Sequence, residues 1–389
     1  MCASYSATSQ SSKPKTAIIM LNMGGPKTTD QVGDYLHRIM TDRDMIQLPV
    51  QNKLGPWIAK RRTPEVTKKY EEIGGGSPIL KWTQTQGKLL TEELDKVSKL
   101  TAPHKPYVAF RYVPPFTEET FEQIEKDRIE RAVIFSQYPQ YSCATTGSSM
   151  NAIFDFYKNR KVPPIQFSII ERWGSHPLLA RVFAERIREK LTLFDPKLRN
   201  NVLILFTAHS LPLKAVSRGD TYPHEIAASV SQVMTQLKVP NPHRLVWQSK
   251  VGPLPWLEPY TDDAIKLYSR QGHKHMILVP IAFVNEHIET LHELDIEYCD
   301  EIAKEAGVVQ IERAATPNDH PIFIQTLVDV VNTHLQQGPR ISSQFLTQCV
   351  HCTSPRCKAS KEFFNSLCST PVTASERIFV DPRHSVARA

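Results

Sequence analysis

The stretch from Glu286 to Glu297 carries the densest chemistry in this 389-residue chain. Glu286, Glu289, Glu293 and Glu297 follow one another at spacings of three, four and four, which on an α-helix would form one stripe. At a rise of about 1.5 Å per residue that stripe spans roughly 16 Å. Like charges so placed repel one another, so water or a cation must compensate them. A solvated face is the plain reading, because exposed glutamates are common. The position of the stripe straight after an apolar run, with His287 inside it, points instead to a path for a cation. Carboxylate oxygens and imidazole nitrogen suit a divalent metal, and too few soft ligands stand nearby to trap it.

His209 follows the apolar run 202–206, which reads as a central strand. An imidazole there can accept a proton near neutral pH or hold a metal in transit, although a lone histidine is more often structural. A second constellation is Cys349-Val-His-Cys352-Thr-Ser-Pro-Arg-Cys357, three thiols within nine residues. The spacing is equally compatible with an iron-sulfur cluster and with zinc, and either needs a fourth ligand. His351 or Cys368 would complete a local zinc site. Seven cysteines, an odd number without a secretory signal, argue against a disulfide framework. Cys2, Cys299 and Cys368 need no function of their own.

These side chains need a scaffold, and the hydropathy rhythm supplies one. Strands are expected over 17–21, 107–111, 132–136, 165–170, 202–206, 245–248, 276–282 and 308–312, with helical spacing between, as over 178–193 and 287–304. This is an α/β pattern of parallel sheets with helices on both faces, in two similar halves that meet near 172–180. In such sheets ligands bind beyond the carboxyl ends of the strands. Asn22-Met23-Gly24, Arg111-Tyr112, Tyr138 to Cys143, Arg172-Trp173 with His176, His209-Ser210 and Glu286 to Leu291 all follow strands. Aromatic, cationic, histidine and carboxylate groups on one rim suit a large planar anion together with a metal.

Composition excludes other classes. Hydrophobic residues make up 41% and charged residues 22%, a globular balance, and no run approaches the roughly 20 apolar residues of a membrane span. A net charge of +7 over this length makes nucleic acid a poor partner. The 29 prolines against 15 glycines imply stiff, shaped loops. The Ser-rich segment 1–15 reads as a flexible tail with a faint organellar-targeting character.

The runs Leu21-Asn-Met-Gly-Gly-Pro26, Arg61-Arg-Thr-Pro64, Ile73-Gly-Gly-Gly-Ser-Pro78, Phe135-Ser-Gln-Tyr-Pro-Gln-Tyr141, Thr207-Ala-His-Ser-Leu-Pro212, Trp247-Gln-Ser-Lys-Val-Gly-Pro253 and His287-Ile-Glu-Thr-Leu291 together resemble the ferrochelatase family, in the family's order. The resemblance implies the chelatase fold, two doubly wound Rossmann-like domains (16–175 and 176–340) facing a porphyrin cleft. It implies insertion of ferrous iron into protoporphyrin IX. It assigns catalysis to His209 and Glu289, with His176 and Asp329 as further active-site groups, and an iron path to Glu286, His287 and Glu293. Glu286 stands where the family more usually has Asp. Met23, Arg62, Tyr70, Ser77, Arg111 and Tyr112 match positions that line the porphyrin pocket.

The cysteine tail is similar to that of animal ferrochelatases, which implies a 2Fe-2S cluster on Cys143, Cys349, Cys352 and Cys357, held by an extension over 341–370. The ending over 371–389 departs from the family pattern. The resemblance further implies a homodimer on the matrix side of the mitochondrial inner membrane. Residues 45–64 hold no acidic residue and place Leu54, Trp57 and Ile58 before Lys60-Arg61-Arg62, a composition that suits peripheral membrane contact. A porphyrin or haem carrier would explain the pocket but not the base and acidic stripe. An iron-sulfur redox or regulatory protein would explain the cysteines alone.

Overall fold

The computed structural model describes residues 14–369. The expected tails, 1–15 save its last two residues and 371–389, lie outside the described residues, as does Cys2. Strands β1 (Thr16–Asn22), β2 (His104–Phe110), β3 (Arg131–Ser136) and β4 (Gln166–Ile170) form a parallel sheet in the order β2-β1-β3-β4. Strands β5 (Leu203–His209), β6 (His243–Gln248), β7 (His275–Pro280) and β8 (Gln310–Arg313) repeat the arrangement as β6-β5-β7-β8. Each expected strand is present, its ends shifted by at most three residues.

The pattern follows from what covers each strand. Ala17 to Leu21 and Met276 to Val279 are buried at every position, as central parallel strands with helices on both faces must be. The edge strands β2 and β8 instead carry His104, Lys105, Glu312 and Arg313. The helices are α1 (Val32–Thr41), α2 (Gln51–Glu72), α3 (Ile79–Val97), α4 (Thr117–Lys126), α5 (Ser148–Tyr157), α6 (Pro177–Leu191), α7 (Leu213–Ser217), α8 (Tyr222–Leu237), α9 (Thr261–Arg270), α10 (Ala303–Glu305), α11 (Pro321–Gln337), α12 (Ser343–Leu346) and α13 (Pro355–Ser369). His176 starts α6 by accepting a hydrogen bond from the Leu178 amide, with Pro177 in the first turn.

One apolar cluster runs through both halves, from Ile18, Met20 and Phe135 to Phe206, Ile277 and Phe323. Trp173 joins them, its ring 5.7 Å from Phe135 and 6.1 Å from Phe323. Helix α11 packs on both α3 and α6. From α3 the buried Gln86 reaches into the second half, where its Nε2 donates to the Asn318 carbonyl at 2.8 Å and to Asn285. The two strand-end rims are therefore fixed relative to one another.

One expected element differs. The residues after β7 form a π-helix, Glu289–Ile302, which continues into α10. Its i→i+5 bonding is rare at such length and recurs at functional sites. Glu286 precedes it, so the four glutamates do not form the single α-helical stripe expected from their spacing.

Close backbone approach fixes the loop ahead of α3. The Ser77 amide donates to the Pro26 carbonyl at 2.7 Å, and a Cβ on Gly76 would stand 2.0 Å from the Lys27 carbonyl oxygen. Only glycine fits there without moving the chain. Gly76→Ala is expected to destabilise the protein by about 1–3 kcal/mol, the cost of forced overpacking, read as a lower thermal midpoint in calorimetry. An unchanged midpoint would show that the loop has slack.

Candidate active site

His209 ends β5, and its Nδ1 lies 2.6 Å from the Ser210 carbonyl oxygen. A carbonyl only accepts, so Nδ1 carries the hydrogen and Nε2 presents a lone pair. The ring leans on Trp256, with centroids 6.2 Å apart. This half-buried imidazole is held in the tautomer a general base requires.

His287 has the opposite polarity. Its Nδ1 accepts the Glu289 amide at 3.1 Å, which leaves the hydrogen on Nε2. Its ring meets the Phe283 ring nearly perpendicularly, with centroids 4.6 Å apart. Burial lowers its pKa, against the opposing pull of Glu289 and Glu286, so the neutral form is favoured. His209, His287, Glu289 and Glu293 lie within electrostatic reach of one another.

The four glutamates have different fates. Glu286 is buried against Arg313 Nη1 at 2.9 Å, and accepts from the Thr316 amide at 3.0 Å and Thr290 Oγ1 at 2.5 Å. Burial acts to raise its pKa, but Arg313 and these donors outweigh it and hold the carboxyl below its usual range. Glu297 is paired with Lys69 at 2.6 Å. Glu289 and Glu293 have no ion-pair partner among the described residues. Glu293 accepts from the Ser249 amide at 2.8 Å, Ser249 Oγ at 2.5 Å, Tyr298 at 2.8 Å and Gln248 at 3.1 Å. Burial, with Glu289 beside it, pushes its carboxyl above the usual range. Ser249 also donates to Glu289 at 3.3 Å.

Facing Glu289 is a wall of phenols. Tyr35, Tyr70, Tyr138 and Tyr222 are all held protonated, first by burial and further by the Glu289 charge. Met23 belongs to this wall, its amide donating to Tyr138 at 2.9 Å. Arg111 and Tyr112 sit behind it, both bound to Asp42, at 2.7 and 2.8 Å. Burial would raise the Asp42 carboxyl, but Arg111, the Asp44 amide, Tyr112 and Ser148 hold it low. Ser77 stands on the Gly76 loop, and Arg62 is half-buried in α2 with no ion-pair partner among the described residues. His176 and Asp329 pair with each other at 2.9 Å. Among the described residues no hydrogen bond or ion pair links that pair to His209 or Glu289.

The cysteines form a second centre. Cys143 lies on a single π-turn ahead of α5, where Asp220 accepts from its amide and from Ser142 Oγ, both at 2.9 Å. The Cys143 and Cys349 thiols meet, and their hydrogen bond, the largest influence, raises the Cys143 pKa and lowers that of Cys349 to about 6. Cys357, which burial pushes up to about 11, senses Cys352 and Cys349. Arg356 ties the extension to Asp44 at 2.8 Å and to Asp155. Among the described residues no three His, Cys, Asp or Glu side chains are grouped closely enough to hold an ion. Charge coupling links Cys143 to Cys349 and Cys357, and Cys357 to Cys352 and Cys349, and four thiols are the donor type that a thiolate-bound cluster takes. Cys368 is instead buried in an apolar cluster with Phe345 and Phe364, and Cys299 is a half-buried thiol that desolvation pushes up to about 12.

Two parallel doubly wound halves, with a histidine at the end of β5 and a pair of neighbouring carboxylates beyond the adjacent strand β7, define a chelatase-type protein. The fold matches that of SirB from Bacillus subtilis with Fe3+ at a TM-score of 0.50 and 10% identity, covering 82% of this chain and 95% of that one. The Ferrochelatase family profile matches residues 15–335. The chain is 67% identical to the mitochondrial ferrochelatase of Drosophila melanogaster over 358 residues, 92% of this chain and 93% of the relative. Identity to the mitochondrial ferrochelatase of Homo sapiens is 52%, over 92% of this chain and 85% of the relative. The chain belongs to the ferrochelatase family, the metal chelatases that insert ferrous iron into protoporphyrin in haem synthesis.

Tyr35, Tyr222, Ser249 and Arg313 escaped the sequence reading as site residues. Of these, only Ser249 lay within a recognised run. Arg313→Met leaves Glu286 buried without its cation and is expected to cost about 3–5 kcal/mol in stability, with partial recovery on adding Glu286→Gln. The native pKa of Glu286 lies below its unfolded value, so the pairing contributes fully above the unfolded value of about 4.3 and is lost as pH falls. The gap between wild type and variant should therefore narrow below about pH 4.3, as read by denaturant titration.

Proposed function

We propose that His209 Nε2 accepts the pyrrole protons while Glu289 and Glu293, beyond the neighbouring strand β7, receive ferrous iron and replace its water. The observation that supports this most is the pair of neighbouring carboxylates with no ion-pair partner among the described residues, beyond the strand adjacent to the one that ends in a histidine with a free lone pair. His287 donates from Nε2 toward the same space, Glu286 anchors the rim, and the tyrosine wall with Met23, Ser77 and Arg62 holds the macrocycle. Binding a bent porphyrin better than a flat one would turn its nitrogen lone pairs toward the metal and lower the barrier. A carrier would need none of this pairing of base and acid. His176 and Asp329 fit the reading as a pair that secures α6 to α11 rather than as groups that touch substrate. The two domains are taken as 16–175 and 176–340, with the extension over 341–370.

The reading places the protein at the matrix side of the mitochondrial inner membrane. Val50, Leu54 and Trp57 support peripheral contact: they are exposed at spacings of four and three at the start of α2, and Arg61 lies over the Trp57 ring at 5.6 Å. Among the described residues no helix is long and apolar enough to cross a membrane. For a homodimer the support is the family resemblance. Cys143, Cys349, Cys352 and Cys357 would hold a 2Fe-2S cluster, which when bound ties the extension to the first sheet through four thiolates.

His209→Ala is expected to lower metal insertion at least about hundredfold while porphyrin binding, followed by fluorescence quenching, persists. Turnover within about threefold of wild type, a barrier change below roughly 0.7 kcal/mol, would remove His209 from the base role.

The cluster carries its own test. Purified protein should be coloured before porphyrin is added, with iron and acid-labile sulfide near two each per chain as a 2Fe-2S centre requires, and Cys143→Ser should lose both and melt at lower temperature. A colourless protein with zinc alone, unaffected by Cys143→Ser, would exclude the cluster.

A further inference from the structure

The two helices that carry opposite walls of the cleft meet at a group of charged side chains that the proposed chemistry leaves unused. Lys69 Nζ lies 2.6 Å from Glu297 Oε1, and His292 Nε2 lies 2.6 Å from Glu72 Oε2. His292 Nδ1 stands 3.2 Å from the same Glu297 oxygen. Lys69 and Glu72 sit in the last turn of α2, on either side of Tyr70 in sequence. His292 and Glu297 belong to the π-helix, where His292 directly precedes Glu293 and follows Glu289 by three residues. The partners are 228 and 220 residues apart, so each contact joins one half of the chain to the other.

The arrangement has a physical purpose that single surface pairs lack. A π-helix has the less common hydrogen-bond pattern, so its placement relies more on tertiary contacts. His292 is buried, with a side-chain exposure of 6%, its Nε2 held by Glu72 and its Nδ1 beside the Glu297 oxygen that Lys69 also meets. Glu72 is exposed and Lys69 and Glu297 are half-buried, so the contacts gather round a single buried imidazole, the part least screened by salt. A misplacement of about 1 Å at a reacting group costs on the order of a hundredfold in rate, so a contact that fixes Glu289 and Glu293 against α2 bears directly on turnover.

We infer that Lys69, Glu72, His292 and Glu297 form an ionic latch across the cleft that positions the π-helix against α2. They act as positioning residues: they set where Glu289 and Glu293 stand relative to the porphyrin held beside Tyr70. The inference rests on the role given above to Glu289.

The test uses the full chain, with Lys69→Met/His292→Phe, the single Lys69→Met, and the charge swap Lys69→Glu/Glu297→Lys. Amide hydrogen exchange over residues 289–302 and steady-state zinc insertion are measured on each. In the double variant, exchange should rise about tenfold and kcat fall about five- to twentyfold, with porphyrin KM within about twofold. Lys69→Met should move both readouts in the same direction by less, and provides the test where the double variant fails to fold. The swap should return kcat to within about threefold of wild type, which loss of bulk stability alone would not do. Unchanged exchange over 289–302 overturns the latch, and raised exchange with kcat within about twofold of wild type overturns its positioning role. A parallel Glu289→Gln variant that keeps full turnover would instead overturn the acidic role, while exchange still reports on the latch.

Discussion

Two half-buried carboxylates, Glu289 and Glu293, stand one helical turn apart with no ion-pair partner among the described residues, and much of the site is arranged around them. Glu289 lies beside Glu293, and burial, with the Glu289 charge next to it, makes Glu293 harder to ionise. Hydroxyl and amide donors from Ser249, Tyr298 and Gln248 partly offset that cost. The flanking glutamates are neutralised, Glu286 by Arg313 and Glu297 by Lys69. The unspent negative charge is thus confined to the middle of the row. A divalent cation would lower the energy of such a pair more than that of a carboxylate already matched, which fits the iron-receiving role proposed for them.

The opposite wall is built to tolerate this charge. Four buried tyrosines lie within reach of the Glu289 charge, stay protonated and do not neutralise it. Cations that would compete are bound elsewhere, with Arg111 on Asp42 and Arg313 shared between Glu286 and Asp295. Among the described residues no arginine or lysine pairs with Glu289 or Glu293, which fits the proton-acceptor role proposed for His209. Asp42 and Asp44 extend the same organisation to the cysteine extension. One grips Arg111 and Tyr112 behind the pocket wall, and the other grips Arg356 beside Cys357. A short loop thereby borders both the pocket wall and the thiols.

Much of this was legible in the sequence because burial writes itself into strands. Uninterrupted runs such as Ala17 to Leu21 and Met276 to Val279 announced central parallel strands, and residues placed at their ends, among them Met23, His209 and Glu286, fell on the rim. The row of glutamates was visible, but its division was not. Spacing along an α-helix could not foresee i→i+5 bonding, and Arg313 and Lys69 reach the row from other elements, the latter from 228 residues away. Tyr35 and Tyr222 look like ordinary helical core residues until tertiary structure turns them toward Glu289. The link between Cys143 and the distant tail was available only from the family resemblance, since local spacing left zinc and a cluster equally open. Cys368, a possible local zinc ligand by sequence, proves to be a core residue because α13 turns its apolar face inward.

The account stands most directly on the middle of the acidic row. Protoporphyrin and ferrous iron can be mixed anaerobically with wild type, Glu289→Gln and Glu297→Gln while the porphyrin absorption spectrum is followed. Wild type should convert the spectrum to that of haem, Glu289→Gln should slow conversion at least about fiftyfold, and Glu297→Gln should slow it less than about tenfold. Equal and small losses in the two variants would contradict the account, because the unpaired carboxylate would then be no more important than the paired one.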